Sequence, residues 1–443
     1  MTKKVTIVGS GLTGPLLSIL LAKKYNINVE MYERNPDFRK TDSYSGRSIN
    51  LALSERGINA LKKAEVYDSE FQKILIPMHG RIIHHIDGNE SFQPYSNKKT
   101  HFINSVSRLE INKILLDKAE ATNKVNINFS MKCDDISFSK NYLSINQKKV
   151  PFNAPVFGAD GYRSIIAKKV AHNISHRDIK HSYKELTIYP KDGNYQMDPN
   201  ALHIWPRKNM MLIALPNNDK TFTCTLFMKK FGKDSFEALN TKESIFVFFE
   251  KNFRDILTLI PNLDDCFIKN PLGKLITTNA DTWFYKNQAC IIGDAAHAVV
   301  PFYGQGMNAS FEDCSKICKI IDVENDWESV FKNFSQHRKK DTDAISELAL
   351  KNYDTMKKDV LDKEYLKKHN LGFELYDMFP DYFIPEYIMV SFTNIPYDTV
   401  KKRSYIQDII LKEILSYKKF PKKEVLSRII KKNLIKLKDE KNS

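Results

Sequence analysis

The chain opens on an apolar run, Val5 to Val8, that stops at a glycine-rich turn, Gly9-Ser10-Gly11-Leu12-Thr13-Gly14. A mostly apolar segment from Pro15 to Lys24 follows, and then a short one from Asn28 to Tyr32. Runs of these lengths predict strand, turn, helix, strand, the βαβ unit. Pro15 suits a helix entrance, because first-turn amides have no partner inside the helix. Further on, Arg108 to Ala121 reads as a helix, Val156 to Gly158 as a strand, and Ala289 to Ile292 as a short buried strand entering Gly293-Asp294. The dinucleotide-type sheet is therefore expected to be discontinuous along the chain. Between its parts, Leu202 to Pro206, Met210 to Leu215 and Phe222 to Met228 are strand-like runs punctuated by Pro206 and Pro216-Asn217-Asn218, which predicts an inserted antiparallel sheet. Beyond about residue 310 the spacing becomes helical, and Pro421 divides two amphipathic stretches, one through Ile406, Ile409, Ile410 and Ile414, the other through Val425, Leu426, Ile429, Ile430, Leu434 and Leu437. The expected class is α/β: a discontinuous Rossmann-like domain in 1–180 and 276–340, an inserted mainly antiparallel β-sheet domain in 181–275, and a helical C-terminal region in 341–443.

At 443 residues, 42% of them hydrophobic, the chain can bury a large core. No uncharged stretch approaches the ~20 residues that cross a bilayer, and Met1 to Gly9 lacks the apolar run of a secretory signal, so a cytoplasmic protein is expected. The formal charge of +15 is unevenly placed: Lys401 to Ser443 holds fourteen Lys/Arg against five Asp/Glu. The body is only mildly basic and carries no recognition-helix, RNA-binding or zinc-finger signature, which excludes a nucleic-acid partner from the reading. The basic tail could meet an anionic membrane peripherally or dock on the protein's own body. The six cysteines, Cys133, Cys224, Cys266, Cys290, Cys314 and Cys318, contain no CxxC pair, so reduced buried thiols are expected and no metal.

Two motifs carry cofactor chemistry. In the first, Gly9 permits the tight turn, Gly11 lets backbone approach a pyrophosphate, and Gly14 allows close packing of helix on strand, so that Gly9, Gly11, Leu12, Thr13 and Gly14 are expected at the cofactor, with its phosphates at the N-terminus of the helix that follows. Glu33 at the end of the second strand should accept hydrogen bonds from an adenosine ribose and repel a 2′-phosphate, so FAD or NAD could occupy this site and NADPH should not. The second is Gly293-Asp294 with Pro301 and Gly304-Gln305-Gly306-Met307-Asn308 after it. Asp294 could bind polyol hydroxyls or simply cap a helix, and the amides of Gly306 to Asn308 could stabilise negative charge on a flavin pyrimidine edge. His297 resembles a general base, but a structural role is the better reading.

A substrate site is partly derivable. Ile82 to Ile86 and Ser91 to Tyr95 flank Asp87-Gly88-Asn89, a plausible hairpin; centred on Gly88, it sets Arg81 opposite Tyr95. A guanidinium beside a phenol suits a carboxylate, or is an ordinary cross-strand cation over a ring. Met211 and Ile213 share one face by strand alternation.

The ordered set Gly9 to Gly14, Asp160-Gly161 and Gly293-Asp294 resembles the FAD-dependent aromatic hydroxylases, a flavoprotein monooxygenase family. The resemblance narrows to the kynurenine-hydroxylating branch through Gly46-Arg47-Ser48-Ile49-Asn50-Leu51-Ala52-Leu53-Ser54, Ile76-Pro77-Met78, Ser105-Val106-Ser107-Arg108, Leu202-His203-Ile204-Trp205-Pro206-Arg207 and Val300 to Ala309. It implies bound FAD, lined by Glu33, Arg34, Ala52, Arg108, Asp160, Asp294, Gly306, Met307 and Asn308, with NADPH as a transient reductant. It also implies that dioxygen adds at flavin C4a and that the resulting hydroperoxide hydroxylates L-kynurenine to 3-hydroxykynurenine, with no catalytic side chain. Arg81, Tyr95, Asn352 and Tyr387 would hold the substrate's carboxylate. Leu202, Met211, Ile213, Phe227, Pro301 and Phe302 would wall its ring, with Gln305 nearby. The chain departs from the family at Ala167, where an Arg usually follows the Asp160-Gly161-x-x-Ser164 pattern. A hydroxylase of another anionic aromatic, salicylate-like, shares the FAD motifs and stays open as the alternative.

Overall fold

A computed structural model describes residues 1–40, 50–357 and 362–437; Gly46 to Ile49 of the resemblance and the last tail residues, 438–443, lie outside the described residues. The strand Lys4–Val8 lies inside a six-stranded sheet, parallel to Asn28–Tyr32 on one side and to Val156–Gly158 on the other. The latter strand in turn pairs in parallel with Ala289–Ile291, so three segments far apart in sequence build one sheet. Parallel strands need covered faces. The helix Thr13–Tyr25, with nine consecutive residues from Gly14 to Ala22 buried, covers one of them.

The inserted sheet has seven strands and runs 273–280, 174–188, 222–229, 210–216, 201–207, 80–84, 90–94 across its width. All neighbours are antiparallel except Ala201–Arg207 beside Gly80–His84. The first segment's hairpin is therefore the edge of the insert. The boundaries expected at 180/181 and 275/276 fall inside the strands Ile174–Ile188 and Gly273–Ala280. The sequence Ile174 to Lys180 is too polar to announce a strand, and its register shifts between Asp178 and Ser182.

The C-terminal region is helical: Trp327–Lys357, Lys363–Met378, Glu386–Ser391, Tyr397–Leu415 and Lys423–Asn433. Leu426, Ile429, Ile430 and Leu434 are buried with Leu371, Leu375, Ile410 and Ile414, so the basic tail docks its apolar face on the protein's own body; Ile409 is exposed. Among the described residues no helix is long and apolar enough to cross a membrane. A desolvated cation ties this region to the half that carries the glycine-rich turn: Arg56 pairs with Glu312 at 3.1 Å, lies 3.8 Å from the Tyr397 ring, and donates to the carbonyls of Val390 and Ile395.

Candidate active site

The glycine-rich turn owes its shape to what it excludes. Gly9 has φ +103°, and a Cβ on it would lie 2.4 Å from the Ala159 carbonyl oxygen; one on Gly14 would lie 2.1 Å from the Gly9 carbonyl oxygen. A Cβ on Gly11 would meet nothing within 4 Å, so the space before it is open. That is the cradle a pyrophosphate needs: a tight turn, free backbone, and the positive end of the Thr13–Tyr25 helix. Asn112 braces it by donating to the carbonyls of Ser10 and Gly11, each at 3.0 Å. Glu33 accepts from the Ser10 amide at 2.9 Å and from the Asn35 amide at 2.9 Å, and exposed Arg34 follows. Both stand at the strand exit beside the cavity rather than on its wall.

That cavity, about 710 Å³, runs from Gly11, Leu12 and Thr13 past Ala52 and Arg108 to Leu202, Met211, Ile213, Phe227, Pro301 and Phe302. Arg108 opens the helix Arg108–Glu120 and is exposed. Asp294 is also exposed on the wall. The helix Asp294–His297 takes Gly293 as its N-cap without a side-chain cap, so Asp294 is not spent on capping. Gly293 has φ +63°, and a Cβ there would sit 2.8 Å from Thr13 Oγ1. His297 has the structural role expected: its Nε2 lies 2.6 Å from Asp313, the same carboxylate that accepts from the Gly293 amide at 3.1 Å.

Gly306 and Met307 line the cavity at the N-terminus of the sixteen-residue helix Gly306–Ile321, whose first amides lack intrahelical partners. Three expected contacts point elsewhere. The Asn308 side chain accepts from the Ser54 amide at 2.9 Å and donates to the carbonyls of Ala52 and Gly304 at 2.8 Å, locking a strand to a turn. Gln305 accepts from the Tyr397 hydroxyl at 2.8 Å and is off the cavity wall, because at the helix N-cap its side chain turns back into the protein. Asp160 accepts from the Ser164 hydroxyl and, at 2.7 Å, from the Ile165 amide; burial pushes its carboxyl up. Its neighbours Gly161, Tyr162 and Arg163 face the cavity instead. Ala167 is packed in the core, its amide donating to Ser164 Oγ at 2.8 Å.

At the far end, Arg81 does not lie opposite Tyr95. The hairpin pairs Arg81 with Gln93 and Gly80 with Pro94, because Ile86-Asp87-Gly88 forms a three-residue loop closed by His85 and Asn89, with Gly88 at φ +87° in its last position. Arg81 nonetheless reaches Tyr95: its guanidinium carbon is 5.6 Å from that ring centroid and 4.8 Å from that of Tyr387. The two rings stack at 5.1 Å with 20° between planes. Arg81 is 8% exposed, its Nε has no hydrogen-bond partner, and no acidic side chain pairs with it among the described residues. Burial holds the Tyr95 phenol well above its usual range, leaving a neutral hydroxyl that can donate. Asn352 donates to the Phe302 carbonyl at 2.7 Å, fixing that turn; it borders a second cavity rather than this one. Tyr303, Asn112 and Tyr397 were not anticipated. Only Tyr303, inside the Pro301-Phe302-Tyr303-Gly304 turn, had a signal within reach; it stacks on Tyr387 at 5.6 Å and its hydroxyl lies 3.3 Å from Glu386.

The profile described as "FAD binding domain" matches residues 2–340. Two solved structures share the fold: 2-methyl-3-hydroxypyridine-5-carboxylic acid oxygenase, at TM-score 0.64 and 16% identity over 83% of this chain and 95% of that one, and CtdE in complex with FAD and a substrate, at TM-score 0.66 and 14% identity over 94% and 100%. Taken with the curated relatives, the profile makes this an FAD-dependent monooxygenase. Curated relatives named kynurenine 3-monooxygenase are 39% identical in Myxococcus xanthus, covering 93% of this chain and 90% of that protein, and 40% identical in Cytophaga hutchinsonii, covering 94% of each. The chain belongs to the kynurenine 3-monooxygenase family.

Proposed function

We propose that the enzyme hydroxylates L-kynurenine to 3-hydroxykynurenine, with NADPH as transient reductant and dioxygen as oxygen donor. The observation that carries this reading is Arg81, a buried guanidinium between two tyrosine rings with no acidic partner among the described residues, facing the cavity that runs to the glycine-rich turn. A buried charge without a counter-ion is unfavourable unless a ligand supplies one, and a carboxylate does so with charge-assisted hydrogen bonds. Tyr95 and Tyr387 offer hydroxyls to the same group. The aromatic ring then lies against Leu202, Met211, Ile213, Phe227, Pro301 and Phe302.

FAD, when bound, accepts hydride from the nicotinamide and activates dioxygen for insertion of one oxygen atom into the ring. The residues of the site fit it: the cradle at Gly9, Gly11, Leu12, Thr13 and Gly14 with Arg108 for the pyrophosphate, Glu33 and Arg34 at the adenosine end, Asp294 for the polyol, and the amides of Gly306 and Met307 for the pyrimidine edge. Ala52 and Asn308 keep the opposite strand against that edge. Amides held in place before reaction stabilise developing charge without reorganising. The apolar wall keeps water from the reacting ring, which suppresses unproductive release of hydrogen peroxide.

The test is substrate-stimulated NADPH oxidation. L-Kynurenine should accelerate it and yield a product heavier by one oxygen, where salicylate does neither; peroxide release without that product would reject the assignment.

A further inference from the structure

A second cavity, about 490 Å³, lies behind the carboxylate clamp and shares Arg81, Tyr95, Tyr303 and Tyr387 with the flavin cavity as a common wall. Its other sides come from the helices Lys363–Met378 and Tyr397–Leu415 and from the end of Trp327–Lys357. Two polar groups on the Tyr397–Leu415 helix line it with no hydrogen-bond partner among the described residues: the Ser404 hydroxyl, in a residue 7% exposed, and the Gln407 amide nitrogen, in a residue 3% exposed. They are three residues apart and so share a helix face. Buried polar side chains are nearly always paired, so two orphans facing one cavity point to a partner from outside the chain.

The cavity's charge says which partner. Lys351 meets Glu386 at 2.8 Å, and Lys368 lies 3.6 Å from Glu364 and 3.8 Å from Asp408. Fixed cations and anions alternate, so the ammonium and carboxylate of a zwitterion can exchange with either. A nucleotide's clustered negative charge would meet Glu364, Glu386 and Asp408 and be repelled. We propose that this cavity is the antechamber through which the aromatic α-amino acid enters and its hydroxylated product leaves, while the nicotinamide reaches the flavin from the other cavity. Arg81, which lines both spaces, passes the carboxylate from one to the other. This deepens the substrate reading above and rests on it.

Gly372 provides the test. It lines the antechamber, and a Cβ on it would meet nothing nearer than the Phe383 ring at 4.0 Å, so Gly372→Leu adds bulk to the passage from a position outside the shared wall of Arg81, Tyr95, Tyr303 and Tyr387. Ser404→Leu fills it from the facing helix and covers the case in which the first variant does not fold. L-Kynurenine binding is followed by stopped flow as a change in the absorbance of bound FAD. Association and dissociation rate constants should both fall at least tenfold, with Kd changed less than threefold. NADPH-driven flavin reduction in the substrate-saturated enzyme should be unchanged. Association at the rate of the unsubstituted enzyme in a folded, FAD-loaded variant, or a weakened Kd with association intact, overturns the antechamber. Failure of the unsubstituted enzyme to bind L-kynurenine instead brings down the substrate reading, and the antechamber with it.

Discussion

Replacing Arg81 with alanine separates substrate binding from cofactor binding, and the size of the effect follows from its burial. At 8% exposure the guanidinium meets a carboxylate largely without water between them. Breaking a buried pair by removing one partner costs about 3–5 kcal/mol, and the open side of the cavity favours the lower end. With about 1.4 kcal/mol per decade, roughly 3 kcal/mol is a hundredfold or more in the Kd for L-kynurenine. The free protein should respond far less. Arg81 makes no ion pair among the described residues, so its removal relieves a desolvated charge, while it forfeits ring contacts worth about 1–2 kcal/mol and hydrogen bonds to the Tyr95 and Tyr387 hydroxyls. Thermal stability should therefore change little. The assay is flavin-absorbance titration with L-kynurenine, paired with a melt and with the FAD content after gel filtration. An analogue lacking the carboxylate should bind both proteins equally. A variant that loses FAD or melts early while binding L-kynurenine normally would refute the assignment of this cation to the ligand.

Four further outcomes follow. Gly14→Ala places a methyl 2.1 Å from the Gly9 carbonyl oxygen, so the purified protein should be largely colourless and regain little FAD on reconstitution. Asp294→Ala should weaken FAD retention, read as the dissociation constant from fluorescence of released flavin, and leave the Kd for L-kynurenine in the reloaded enzyme within about twofold. Asp313 is held below the usual carboxylate range; burial alone would raise it, but His297 and Arg338 outweigh that. Its stabilisation is thus present above the ordinary value near 3.8 and is lost as pH falls below it, so Asp313→Asn should narrow the gap between urea midpoints measured at pH 7 and pH 3. Truncation after Pro421 removes Leu426, Ile429, Ile430 and Leu434 from their contacts and should cost on the order of 5 kcal/mol in urea unfolding.

Legibility followed the range of the physics. The first turn could be read because its spacing is local: Gly14 is forced by the Gly9 carbonyl within the same motif, and the motif announces Gly9 even though the backbone that crowds it, at Ala159, lies far along the chain. The Arg81 hairpin was visible, but its register was not, since everything depends on whether Gly88 centres the turn or closes a three-residue loop. The strand 174–188 was hidden by charged and polar residues at positions that only the seven-stranded arrangement makes strand-like. Asn112 under the glycine turn and Tyr397 on Gln305 come from helices joined to their partners by no pattern in the chain. For Asn308 the motif was readable while the direction of the side chain was not, because its partner Ser54 lies hundreds of residues away; Asp160 turns instead to Ser164 and Ile165, four and five residues on, the first of them part of the motif itself.

Arg56 gives the order in which the protein acquires its abilities. A ribosome delivers the glycine turn, the GD segment and the first part of the Gly306–Ile321 helix well before it delivers Val390, Ile395 and Tyr397, the groups on which this cation closes. Until they arrive Tyr387 is missing too, so Arg81 has only one ring of its pair, and its two-ring setting is among the last features the polypeptide completes.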